Sequence, residues 1–243
     1  MAKTLETSRD WRTYWNSVGD RANSEDLFKQ VDRTVSGRAV ESGELQLLIE
    51  AVLRGVQLAP QDVLLDLCCG NGLITREFAP HCQAVVGIDY SDYLIGVARQ
   101  NTSAGNVSYL VSSAEDLDAL DFGVRRPNKV SINGGMQHFS MAVFDRILAS
   151  LSRRDQPATD IVCTEVPDAD RVYAFYNTPE RREDFQRRLK AGSEAVGTWW
   201  DRDELTAIFD RHGYDATFPP PDRRRLTNHY RFDVVARLRP AGR

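Results

Sequence analysis

The sequence predicts an α/β protein built on a parallel sheet wound with helices on both faces. Three observations lead there. From residue 63 onward, short apolar runs alternate with segments of helical character. The first run, "VLLDL", empties into the small-residue turn "CCGNG" and then a helix start, the arrangement at which α/β proteins hold nucleotide-type ligands. The last two strand-like runs lie too close together for another crossover, so they pair as a hairpin at one sheet edge.

The first 44 residues stand apart. "DWRTYWNSV" and "SEDLFKQVDRTVSG" are aromatic and charged with no strand alternation, and predict a helical lid segment over residues 1–44. The rest, 45–243, forms the main domain. It opens with "GELQLLIEAVLRGV", apolar at helical spacing, with Gly55 as its stop. Strands are expected at 63–67, 84–88, 107–111, 129–133 and 161–165, with helices at 73–78, 93–100, 114–117 and 140–152. An insertion of about 167–200 follows the fifth strand. The tail, "WWDRDELTAIFDRHGYDATF" and then "HYRFDVVARL", reads as helix, glycine stop, strand and final strand.

Composition limits the function classes. The 243 residues are 42% hydrophobic and 27% charged, as in a soluble globular protein. A net charge of −4 supplies no overall basic field for nucleic acid. The clusters Arg181-Arg182, Arg187-Arg188 and Arg223-Arg224-Arg225 read as solvated outer faces. No run is long enough to span a bilayer and the N-terminus lacks a signal-peptide core, so no membrane partner is expected. Cys68, Cys69, Cys82 and Cys163 form no CxxC pair and no metal-ligand spacing, and fit a reducing cytoplasm.

The turn decides what is bound. Gly70 and Gly72 match the first two positions of a dinucleotide fingerprint, but Thr75 replaces the third glycine. Asp66, one turn from the ligand, repels a diphosphate and suits a ligand with positive charge. Asp89 ends the next strand, where a carboxylate accepts hydrogen bonds from two ribose hydroxyls. After the third strand, Ser113, Ala114 and Glu115 stand where they can edge an adenine ring, although Ser113 also reads as a helix N-cap.

Together "LLDLCCGNG", "VVGIDYS", "VSSAEDLD" and "HYRFDVVARL" resemble the class I S-adenosylmethionine-dependent methyltransferases. The resemblance implies a Rossmann-like, seven-stranded, mostly parallel sheet with an antiparallel last strand, and S-adenosyl-L-methionine as cofactor. It implies that Asp66, Cys68, Gly70 and Gly72 line the methionine part, with Asn133 near by. Asp89 and Tyr90 would take the ribose, and Ser113, Ala114 and Glu115 the adenine. Two residues depart from the family pattern: Cys68 stands where glycine is usual, and Ser113 where aspartate is frequent.

The acceptor belongs over the carboxyl edge of the sheet, facing the methyl group. "SINGGMQHF" delivers Gln137 to orient a ligand and His138 as general base; Glu165, from the fifth strand, is a second catalytic candidate. Tyr173, Tyr176 and Trp199 of the insertion, with Tyr14 of the lid, are the expected aromatic walls of a small-molecule pocket. The expected activity is methyl transfer to oxygen or nitrogen of a small molecule, such as a natural product or sugar, with carbon open. A cyclase or rearrangement enzyme of the same fold is one rival, and a binding module with a vestigial site another. An NAD-dependent oxidoreductase is disfavoured by Asp66 and the absent third glycine. No motif names the acceptor or the oligomeric state, and a homodimer stays open.

Overall fold

In the structure, a computed structural model describing residues 3–7, 9–17, 26–35, 38–39, 42–102, 104–122, 126–153 and 157–240, seven strands form one sheet. They are β1 (Val63–Leu67), β2 (Ala84–Asp89), β3 (Val107–Val111), β4 (Lys129–Asn133), β5 (Asp160–Pro167), β6 (Tyr214–Thr217) and β7 (Arg231–Leu238). Their spatial order is β3-β2-β1-β4-β5-β7-β6. β1 to β5 are parallel, and β7 runs antiparallel between β5 and the edge strand β6. The expected mostly parallel sheet, closed by a hairpin at one edge, is borne out. Strand order reverses between β1 and β4, and the carboxyl ends of these two neighbours open a crevice there.

The helices are α1 (Trp11–Asn16), α2 (Leu27–Gln30), α3 (Ser42–Val56), α4 (Asp92–Asn101), α5 (Met141–Ser152), α6 (Val172–Phe175), α7 (Pro179–Lys190) and α8 (Arg202–Arg211). Side chains alternate along each strand, so each strand feeds two cores. Val63, Leu65 and Leu67 face Phe144 and Ile147 of α5 and Phe209 of α8. Leu64, Val85, Val162 and Val235 point the other way, onto Leu48, Ile49, Val52 and Val56 of α3. Each fully buried side chain of this size contributes about 1.5–3 kcal/mol, which makes the two apolar faces the main reason the layers stay together. Ser91, Ser140 and Asp201 cap α4, α5 and α8 with side-chain oxygens.

Two expected helices differ. The segment at 73–78 is a 3₁₀ helix displaced to Thr75–His81, because Pro80 cannot donate to a regular α-helix. The segment at 114–117 is also 3₁₀, over Ala114–Ala119, with a kink at Asp116.

Part of the expected lid, residues 1–2, 8, 18–25, 36–37 and 40–41, lies outside the described residues. The described part is anchored to the main domain. Leu5 exchanges both backbone hydrogen bonds with Trp199, at 2.8 and 2.9 Å. Trp11 and Trp15 of α1 set their rings against His138, with centroids 4.4 and 5.7 Å apart. Just before α3, Thr34–Val35 and Arg38–Ala39 form a short antiparallel ladder.

Candidate active site

Strand alternation puts Asp66 on the α3 face, directly across from Ser131 of β4. Three donors hold its carboxylate: Thr75 Oγ1 and Ser131 Oγ at 2.6 Å and Asn133 Nδ2 at 3.0 Å. Burial nevertheless pushes its pKa up to about 6. The loop beyond it turns through Cys68, Gly70 and Gly72, all at positive φ. A Cβ on Gly72 would stand 2.3 Å from Thr102 Oγ1, so this position needs glycine for packing. Gly72 does not line the cleft; the expected cofactor contact there is corrected to a structural role. Cys68, at φ +59°, holds the left-handed conformation that glycine usually supplies. Its Cβ lies 2.8 Å from where a Cβ on Gly135 would stand, so its side chain fits because Gly135 has none.

Asp89 ends β2 with each carboxylate oxygen bound once, by the amides of Gly70 (3.0 Å) and Ser91 (2.9 Å). Each oxygen keeps acceptor capacity toward the cleft. Burial raises its pKa against the opposing amides of Ser91, Gly70 and Tyr90. Tyr90 follows with its hydroxyl buried and without a hydrogen-bond partner. Beyond lies a cavity of about 210 Å³ floored by Ile88, Ser113, Ala114, Glu115 and Phe139. Ser113 Oγ accepts from the Glu115 amide at 3.3 Å, so it caps the 3₁₀ helix and also lines this cavity. The Glu115 carboxylate pairs outward with Arg146.

The main cleft, about 720 Å³, shares Cys68, Asp89, Tyr90 and His138 with the smaller one and extends past β4. Asn133, Gln137, His138 and Tyr14 line it as expected. His138 is half-buried, with its Nδ1 atom shielded from solvent and unpartnered. Burial first, then the charges of Arg231 and Arg9, lowers its pKa to about 3, so the imidazole is neutral at pH 7 and a weaker base than the sequence suggests. Gln137 is fixed from two sides: its carbonyl accepts from Thr198 N (2.8 Å), and its Oε1 from Arg231 Nη1 (2.6 Å).

Glu165 sits inside β5 rather than at its end, at a bulge opposite β7, with φ +62°. Its carboxylate accepts from Arg225 and from Thr227 Oγ1. Burial would raise its pKa, but Arg231, Arg225 and Arg33 outweigh burial and hold it low. Glu165 is therefore an ion-pair partner in the cleft wall, which corrects the expectation of a free catalytic carboxylate.

Three expected aromatic walls are elsewhere. Trp199 and Tyr176 are buried in a cluster with Phe185, and Tyr173 is exposed; none lines the cleft. Tyr176 instead donates to Glu194. Phe175 and Tyr230 supply the wall. The arginines also need correction: Arg225 is buried, and Arg181 lines the cleft. Sequence reasoning missed Arg33 and Arg231 altogether. Arg231 and Asp233 did carry a signal, charges at period two in the apolar run of β7.

Comparison with known proteins matches residues 64–157 to the family described as a methyltransferase domain. Over these residues the chain is similar to a methyltransferase domain. An uncharacterized methyltransferase of Schizosaccharomyces pombe is 38% identical over 74 residues, 30% of this chain and 27% of that protein. A 23S rRNA (uracil(1939)-C(5))-methyltransferase of Klebsiella pneumoniae is 26% identical over 153 residues, 63% of this chain and 32% of that protein. The chain thus spans about a quarter to a third of these relatives. Among solved structures, magnesium protoporphyrin IX methyltransferase from Synechocystis with bound SAH shares the fold at a TM-score of 0.61 and 16% identity, covering 94% of this chain and 98% of that one.

The methyltransferase cleft fits its cofactor. Asp89 has free acceptor capacity beside the glycine loop, Tyr90 with its unpartnered hydroxyl lines the same space, and the smaller cavity has room for a planar base. When bound, S-adenosylmethionine supplies a methyl group activated by a positively charged sulfur. The carboxylates of Asp66 and Asp89 at this end complement that charge.

Proposed function

We propose that the protein methylates an oxygen or nitrogen of a small-molecule acceptor held between the β4 loop and the N-terminal segment. The observation that carries this reading is the lining of the cleft: Trp11, Trp15, Phe175 and Tyr230 share it with Gln137 and His138. Aromatic walls with a few directed polar groups suit one compact molecule. A folded RNA would need an open basic face, whereas the net charge is −4.

In this proposal Asp89 and Tyr90 hold the ribose, Ser113, Ala114 and Glu115 edge the adenine, and Asp66, Cys68, Gly70 and Asn133 surround the methionine part. His138, neutral at pH 7, orients the acceptor through a hydrogen bond, and the cleft walls align its lone pair with the methyl group. A proton released by the acceptor passes to solvent.

The test is incubation with S-adenosylmethionine and panels of small hydroxy, amino and carboxy compounds, followed by mass analysis. The expected product gains one methyl group in step with S-adenosylhomocysteine. A product altered without that gain would favour a cyclase, and methylation of RNA alone would overturn the small-molecule reading.

A further inference from the structure

Arg33 carries a charge that the described residues leave unpartnered. The tight turn after α2 places it, with its amide on the Phe28 carbonyl at 2.9 Å. Its side chain lines the main cleft, and Nη2 lies 3.6 Å from where a Cβ on Gly134 would stand, beside the β4 loop. Among the described residues that side chain has no hydrogen bond and no ion pair within 4.0 Å.

The nearby carboxylates are already engaged. Glu165 Oε1 is taken by Arg225 and Thr227, and its Oε2 lies 3.8 Å from Arg231 Nε. Asp233 is paired with Arg225. Glu44 is half-buried and lines the same cleft; it attracts Arg33 from beyond ion-pair distance and accepts from the Leu226 amide. The contacts therefore pair Arg225 and Arg231 with Glu165 and Asp233, and Arg33 is the guanidinium of this cluster left without a contacting carboxylate. Arg231 Nε is also buried without a hydrogen-bond partner. Burial, with Arg231 and Arg225, lowers the pKa of Arg33 despite the attraction of Glu165. A guanidinium partly withdrawn from water with no contacting counter-ion is costly, and a ligand anion would offset that cost. The opposite end of the same cleft is negative, with Asp66 and Asp89.

We infer that the acceptor is anionic, carrying a carboxylate- or phosphate-type oxyanion that Arg33 and Arg231 hold beside the β4 loop. A guanidinium presents two parallel donors that match either group. The inference rests on the methyltransferase reading above, because it concerns the acceptor end of that cleft.

The test uses the full chain saturated with S-adenosylhomocysteine and three probes sharing one ring: benzoate, phenyl phosphate and benzamide. Titration followed by NMR or calorimetry should show at least one anion binding roughly tenfold or more tighter than benzamide, the scale of a charge-assisted contact. Preference for benzoate assigns a carboxylate, and preference for phenyl phosphate assigns a phosphate. Arg33→Ala and Arg33→Gln should both abolish the preference and Arg33→Lys retain part of it, while S-adenosylhomocysteine affinity stays at the wild-type level. The glutamine variant, with thermal unfolding, guards against a folding defect. Benzamide binding as tightly as the anions, failure of both anions to bind, or an intact preference in Arg33→Ala and Arg33→Gln overturns the inference. Loss of S-adenosylhomocysteine binding by the wild-type protein would instead sink the methyltransferase reading itself.

Discussion

Cys68 keeps a left-handed backbone that costs a residue with a side chain about 1–3 kcal/mol, and it keeps it directly against Gly135. The two positions are therefore coupled. Gly135→Ala alone should destabilise by about 1–3 kcal/mol through overpacking on Cys68. In a Cys68→Gly background the same change should cost about 1 kcal/mol less, or better, because the space is vacated. Denaturant unfolding of the four proteins in the cycle measures this, and strict additivity would contradict the packing argument. At this scale the sequence is legible wherever a strand end fixes direction. Asp66 and Asp89 follow their apolar strands and could be placed without coordinates. Arg33 could not, because its role comes from a turn that brings a remote segment onto the β4 loop. Nor could the aromatics of the insertion: composition reveals that Tyr173, Tyr176 and Trp199 are present, not which way they point.

Among the elements, α2 has the clearest link to the site. Asn71, inside the glycine loop, donates from Nδ2 to the Leu27 carbonyl (2.8 Å) and to Gln30 Oε1 (2.9 Å), so the loop and the N-terminal segment are joined. Each such bond contributes about 0.5–1.5 kcal/mol net. Asn71→Ala should speed amide exchange across 26–35 by roughly tenfold, while the β1–β4 strands keep their protection. Uniform protection in the variant would show that α2 is held by other contacts. The strands were the most legible elements, since short continuous apolar runs mark strands buried on both faces. The 3₁₀ segments and the β5 bulge were not legible, because Pro80 and the antiparallel partner strand act through geometry that periodicity does not carry.

Over the whole molecule, the reversal of strand order between β1 and β4 creates one crevice with two electrical ends. Asp66 and Asp89 make the donor end negative, and Arg33 and Arg231 make the far end positive. Sheet order was legible through the ordered motifs, whereas the polarity of the cleft was not, since residues 33 and 231 meet only after folding. The central claim is that Asp89 anchors an adenosine-bearing cofactor at the negative end. Calorimetry of S-adenosylhomocysteine binding to the wild-type protein and Asp89→Ala tests it most directly. Loss of two charge-assisted hydrogen bonds should weaken binding by roughly 30-fold or more, with the circular dichroism spectrum unchanged. Equal affinity in the two proteins, or no binding to the wild type, would contradict the account.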